Sequence, residues 1–254
     1  MGRRFLSTLV VAAHPDDEVI GAGIWMHRHS HSAIHILHIT DGSPRDLENA
    51  RALGFRSRRL YASARRRELD QALSHLAVRS CTQFEFVDKE AHLNLPALVD
   101  RLAGVIRQLE PDRVLAPTYE GGHPDHDAAA FAVAAVRKVR PSFEHLEYPL
   151  YHSSPRGRMI AGEFISPSLA AVEELLTLSA EERRLKRQMF ACFETQQEIL
   201  SRFRLKYERF RPAPHHDFDK PPHQGPLLYE RWGWGITGGD WRRRARSALL
   251  HTSR

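Results

Sequence analysis

No apolar run in the 254 residues approaches the roughly 18 needed to cross a bilayer. The chain is therefore not expected to span a membrane by a helix. Cysteine is scarce, with two residues far apart, Cys81 and Cys192, which argues against a disulfide framework and fits a reducing, cytoplasmic compartment. Arg3 and Arg4 ahead of Phe5–Ala13 mimic a secretory leader, but the apolar part is short and reads better as a first strand. Internal repeats and an obvious linker are also lacking. That leaves a single domain over 1–254, with a core over 1–140 and an elaboration over 141–254.

The composition is 42% hydrophobic and 27% charged, with a net charge of +6. A basic surface favours anionic partners. Much of the excess lies in RSRRL, ARRREL and WRRRAR, which also read as solvated helix faces. A nucleic-acid groove would need aromatics interleaved with the basic residues for base stacking, and the aromatics here mostly follow core patterns. No nucleic-acid partner is expected.

Strand-like and helix-like stretches alternate. FLSTLVVAA (5–13), SAIHILHIT (32–40), FEFVD (84–88) and PDRVLAP (111–117) read as strands. Helical spacing runs through 19–29, 64–77, 95–110 and 128–139. This order predicts an α/β fold of the Rossmann-like, three-layer kind, with a mostly parallel sheet. Beyond residue 140 the pattern weakens. Strands are expected at 145–152 and 158–165, one long helix at 178–203 opened by a Ser179/Glu182 capping box, and an irregular loop at 212–226.

In open α/β sheets the site lies beyond the carboxyl ends of the strands. Two polar motifs fall there. AHPDDE (13–18) follows the first strand, and GGHPDHD (121–127) follows the fourth. His14 and Asp17 are three apart, as are His123 and His126. A catalytic zinc takes three His or carboxylate ligands and leaves one position open. The two motifs together could supply three ligands and spare acid–base groups. Helix capping explains the aspartates but does not require the histidines.

AHPDDE, followed by VIGAG and then by HPDH about a hundred residues later, resembles the PIG-L, or LmbE-like, deacetylases. The resemblance covers residues 5–140 and implies a Rossmann-like fold and a zinc-dependent enzyme that removes acetyl groups from N-acetylglucosamine units. It implies His14, Asp17 and His126 as ligands of Zn2+, or of another divalent metal. Asp16 would be the general base and His123 the group that stabilises the tetrahedral intermediate or protonates the amine. Arg65 corresponds to a substrate-contacting position. Asp41, in ITDGS, ends a strand at the expected rim and could touch a ligand, although turn chemistry explains it equally well. The partner would be an amino-sugar-containing substrate, with the basic residues favouring an anionic or lipid-linked one. Metal-dependent hydrolysis of another amide or ester bond is the alternative, with a basic nucleic-acid-binding module behind it.

Two further histidine clusters read as decoys. His27, His29, His31, His35 and His38 are expected at the surface or partly buried. His215, His216, Asp217 and His223 fall in the proline-rich loop.

Overall fold

The structure is a computed structural model that describes residues 7–165 and 172–252. The expected start of the first strand at Phe5 and Leu6 lies outside them. Five parallel strands form the centre: β1 (Ser7–Ala12), β2 (Ala33–Pro44), β3 (Ser80–Asp88), β4 (Arg113–Pro117) and β5 (Glu144–Tyr148). Between them run α1 (Asp17–Arg28), α2 (Glu48–Ala52), α3 (Arg58–Leu73), α4 (Leu95–Leu109) and α5 (Pro124–Val139).

The C-terminal part adds a small antiparallel pair, β6 (Tyr151–Ser153) with β7 (Met159–Ala161), then β8 (Glu174–Thr177) and α6 (Ala180–Ala191). It ends with α7 (Gln197–Leu200), β9 (Tyr207–Pro212), α8 (Leu228–Arg231) and α9 (Gly238–Thr252). The seven-stranded sheet has the order β3-β2-β1-β4-β5-β9-β8, and β9 and β8 pair antiparallel. The α/β, mostly parallel architecture is as expected.

The central strands are buried on both faces, which is why they read as continuous apolar runs. Alternate residues still divide by face. Leu9, Val11, Val114 and Ala116 pack under α4, α5 and α9, whereas Val10 and Leu115 pack under α1, α3 and α6. Helix α4 buries Leu95, Leu98, Val99, Leu102 and Ile106 along one stripe. Each such side chain contributes about 1.5–3 kcal/mol relative to exposure. On the other face Gly21 lets α1 approach Tyr148, whose ring stands 2.1 Å from where a Cβ would be. The small residues of VIGAG thus close the contact between α1 and β5.

The C-terminal part departs from expectation. Residues 145–152 are divided between two strands, β5 and β6, separated by Pro149 and Leu150. The helix begins on the expected Ser179/Glu182 capping box but stops at Ala191, followed by a 3-10 turn and α7. β8 and β9 were not anticipated. Among the described residues no helix is long and apolar enough to cross a membrane.

Candidate active site

The first motif is a tight loop between β1 and α1. Asp16 occupies the N-cap position with φ 144° and ψ −30°, a backbone region that non-glycine residues rarely enter. Such a conformation costs about 1–3 kcal/mol and persists only when its surroundings fix it. Here they do. Asp17 Oδ2 accepts the backbone N–H groups of Ala13 (3.1 Å) and His14 (2.8 Å). Glu18 Oε2 accepts the N–H of Asp16 at 3.2 Å. The Arg65 guanidinium, from α3, donates to Pro15 O (2.8 Å), Gly42 O (2.9 Å) and Asp16 Oδ2 (3.1 Å). Asp16 makes no side-chain capping bond. Capping therefore does not account for this carboxylate.

The second motif opens α5. His123 is its N-cap, and His123 Nδ1 accepts the N–H of Asp125 at 3.1 Å, with Pro124 next in line. The acceptor role at Nδ1 places the proton of a neutral His123 on Nε2. Gly122 has no room for a side chain, since Tyr151 O lies 1.8 Å from a built Cβ. Asp125 reaches across to the end of β3 and accepts the N–H groups of Lys89 (2.6 Å) and Ala91 (3.0 Å). The ends of β3 and β4 are thereby tied together.

The side chains converge. The imidazole centroids of His14 and His123 are 4.3 Å apart, those of His14 and His126 5.2 Å, and those of His123 and His126 5.1 Å. Asp88 Oδ1 lies 3.1 Å from His14 Nε2 and 3.4 Å from His123 Nε2. Asp17 meets His14 Nδ1 with Oδ2 and His126 Nε2 with Oδ1, at 3.3 Å each. Two donor groups are compact enough for a cation, His14/His123/His126 and His14/Asp88/His123/Asp125, all buried. His14 Nε2, both His126 nitrogens and Asp88 Oδ1 are buried without a hydrogen-bond partner. Unpartnered buried donors beside carboxylates fit a divalent cation, and the nitrogen and oxygen set suits zinc among others.

The electrostatics separate two adjacent carboxyls. Burial pushes Asp16 up to about 7, against the pull of the Arg65 guanidinium. Burial would also raise Asp17, but His126 and His14 outweigh it and hold that carboxyl well below the usual range. His14 is held well above the ordinary histidine value, because Asp88, Asp125 and Asp17 together overcome its desolvation. His123 goes the other way, down to about 4, through burial and then the charge of His14. Neighbouring groups with opposed shifts are the usual pattern of assigned acid–base roles.

The structure brings His14, Asp17, His123 and His126 into one cluster, with Asp16 at its edge. Arg65 is 4% exposed and faces Asp16, so it is not a solvated helix arginine. Asp41 is turned aside, paired with Arg58 and accepting the N–H of Ser43 at 3.0 Å. Asp88 and Asp125 were missed. Asp88 could have been found by the rule that flagged Asp41, because it ends the third strand.

His38 corrects the view of the first histidine cluster. It is fully buried, with Nε2 2.8 Å from Glu18 Oε2, and although burial opposes its charge, Glu18 raises it to about 10. In the second cluster His216 is 2.7 Å from Glu147 Oε2 and ties the loop after β9 to β5.

Similar solved structures share the fold. The A40926 pseudoaglycone deacetylase Dbv21 superposes with a TM-score of 0.64 at 18% identity, over 82% of this chain and 96% of that one. The 4-carboxy-2-hydroxymuconate hydratase GalB from Pseudomonas putida KT2440 gives 0.57 at 18%, over 83% and 98%. The N,N'-diacetylchitobiose deacetylase of Pyrococcus horikoshii gives 0.52 at 19%, over 91% and 75%. One fold thus carries deacetylases and a hydratase, so the fold alone does not fix the reaction. No curated protein matches by sequence. Residues 9–137, more than half of the 254, match the PIG-L family, described as GlcNAc-PI de-N-acetylase, and the chain belongs to that family.

Proposed function

We propose that this deacetylase hydrolyses the acetamide of an N-acetylglucosamine-type sugar with the help of a divalent cation, zinc by the family resemblance. The observation that carries the reading is the set of buried, unpartnered nitrogens of His14 and His126 beside the carboxylates. His14, Asp17 and His126 would hold the cation. Asp17 suits that part because its neighbours keep it ionised, and a ligand must be deprotonated. When bound, the cation would polarise the acetamide carbonyl and lower the pKa of water to about 7.

The protein's own groups do the rest. Asp16 takes one proton from the attacking water as the oxygen bonds to the acetamide carbon. With its carboxyl at about 7, it is divided between base and acid forms near neutrality, as an acid–base catalyst needs. His123, neutral with its proton on Nε2, donates a hydrogen bond to the developing oxyanion. As the carbon–nitrogen bond breaks, the amine takes back the proton held by Asp16, and the acyl group leaves as acetic acid, which ionises to acetate. Arg65 holds Asp16 in place and restrains the rise of its pKa. Asp41 would be an outer substrate contact only on release from Arg58, which holds it aside.

A polyanionic ligand is disfavoured at this point, because Asp16, Asp17, Glu18, Asp88 and Asp125 crowd the strand ends. The test is acetate release from N-acetylglucosamine conjugates by the untreated, chelated and zinc-restored protein. Release that is lost on chelation and regained with zinc supports the reading. Release that is indifferent to chelation contradicts the cation's part in it.

A further inference from the structure

The tryptophans are unevenly placed. Trp25 and Trp241 are core residues, 3% and 0% exposed. Trp232 is 40% exposed, the one aromatic among the exposed large hydrophobics of the described residues. Trp234, two residues on, is half-buried. Both sit at the candidate site.

Five rings close a circuit there. His126 faces Tyr151 at 5.1 Å and Tyr151 faces Trp232 at 5.9 Å. Trp232 and Trp234 are 5.0 Å apart, Trp234 meets His123 at 4.8 Å, and His123 lies 5.1 Å from His126. One side of the circuit is imidazole, and the opposite side is indole open to solvent.

The loop that carries the indoles is anchored at its base. Leu228 donates its N–H to Gly121 O at 3.0 Å, beside the second motif, and Leu228 and Tyr229 are buried. Between the anchors, Gly233 and Gly235 flank Trp234 with φ of 69° and 75°. Trp232 and Trp234 donate their backbone N–H groups to Leu228 O and Tyr229 O, which holds the two residues against the end of α8. The Lys89 ammonium lies over the Trp234 ring, 4.7 Å from its centroid, and pairs with Asp46 Oδ2 at 2.6 Å, so one face of Trp234 carries charge at the rim of the more open Trp232.

We propose that Trp232 and Trp234 form a stacking platform for the sugar ring joined to the acetylated one, so that the substrate is a glycoside of at least two rings. This rests on the deacetylase reading above and names its substrate class. Counting outward from the imidazoles, Trp234 is the first ring and Trp232 the second, a step comparable to the span of one linked pyranose. An indole face matches the apolar C–H face of a pyranose, and charged groups at the rim match its hydroxyls. A fatty chain would call for an apolar trough, and the rim of Lys89 and Asp46 is charged.

The test compares N-acetylglucosamine with N,N'-diacetylchitobiose on the intact, zinc-supplemented protein, reading binding by tryptophan fluorescence and turnover by acetate release. The disaccharide is expected to bind about tenfold more tightly, the scale of one aromatic stacking contact. Trp232→Ala and Trp234→Ala should each collapse that preference, and Trp232→Phe should restore most of it. A disaccharide bound no better than the monosaccharide, or a preference intact in both alanine variants, overturns the platform. An octyl glycoside of N-acetylglucosamine preferred over the disaccharide also overturns it, in favour of a lipid-linked substrate. A disaccharide preference in binding without acetate release from either sugar would leave the platform standing and remove the deacetylase reading.

Discussion

Residues 7–139 and 144–252 both bury charge, but they complete it differently. In the C-terminal region Lys186 Nζ reaches Glu208 Oε1 (2.6 Å) and Ile20 O (2.8 Å), while Glu208 also accepts the N–H groups of Ile24 (2.8 Å) and Trp25 (2.7 Å). Glu147 is likewise held by Arg211, His216 and Thr118. These ion pairs are saturated by their neighbours, and they lock β9 and α6 against α1 and β5. At the strand ends of the first region, His14 Nε2, the His126 nitrogens and Asp88 Oδ1 keep open valences. A buried polar atom left unpaired costs about 1–3 kcal/mol, so a fold retains several together only where something else binds them. His145 Nε2, His152 Nδ1 and His223 Nε2 are also left open in the second region, so it is the gathering of open atoms around His14 and His126, with carboxylates beside them, that marks chemistry.

The comparison is broken most directly by exchanging its two effects. Asp16→Asn should lower kcat by about 10²- to 10⁴-fold, the usual worth of a general base. Folding stability at neutral pH should hold or rise, because burial has raised this carboxyl to about 7 and its ionised form is disfavoured in the folded state. Lys186→Met should do the opposite. It leaves Glu208 buried without its cation, at a cost of about 3–5 kcal/mol in denaturant unfolding, with kcat within a few fold. A large loss of kcat from the lysine variant, with stability unchanged, would erase the division.

The seam between the regions offers a smaller effect. Gly21→Ala pushes a methyl into the Tyr148 ring and should cost about 1–3 kcal/mol in thermal or denaturant unfolding. An unchanged midpoint would show that α1 and β5 are not as closely seated as described. Arg65→Gln sharpens the electrostatic side. Arg65 lowers the Asp16 pKa, so its loss should move the acid limb of the kcat/KM profile to higher pH. A limb that stays in place would separate that limb from Asp16.

The smallest expected effect is on stability alone. His38 has a folded pKa raised from 6.5 to about 10 by Glu18. Its contribution is complete below 6.5 and is lost as the pH rises through 10, so wild type should lose stability over that window and His38→Gln should lose less. Parallel curves for the two proteins would contradict the pairing.

How far the sequence alone could be read follows from the same contrast. The strands and the long helices through Val139 obey simple periodicities, although α2 and the first turns of α3 fall in a stretch that reads as a loop, and both H-P-D motifs stand out because capping does not require their histidines. Asp88 closes a strand as Asp41 does, but it was overlooked because FVDKE lacks the turn-forming DGSP that drew attention to Asp41. β9, YERFRP, hides its alternation because Glu208 and Arg211 are buried in a strand that also buries Phe210. The break after Ala191 carries neither proline nor glycine, so tertiary packing of Phe193 decides it. The Trp232–Trp234 wall depends on a loop docking at Gly121, and no local pattern announces that contact.

The most direct test of the account is metal content after chelator-free purification, for wild type, His14→Ala and His126→Ala. The account predicts about one divalent cation per chain in wild type and its loss in both variants, since each would remove one of the three proposed protein ligands. A wild-type protein that takes up no cation even when supplied with zinc would contradict the claim that the open valences at the strand ends form a metal site.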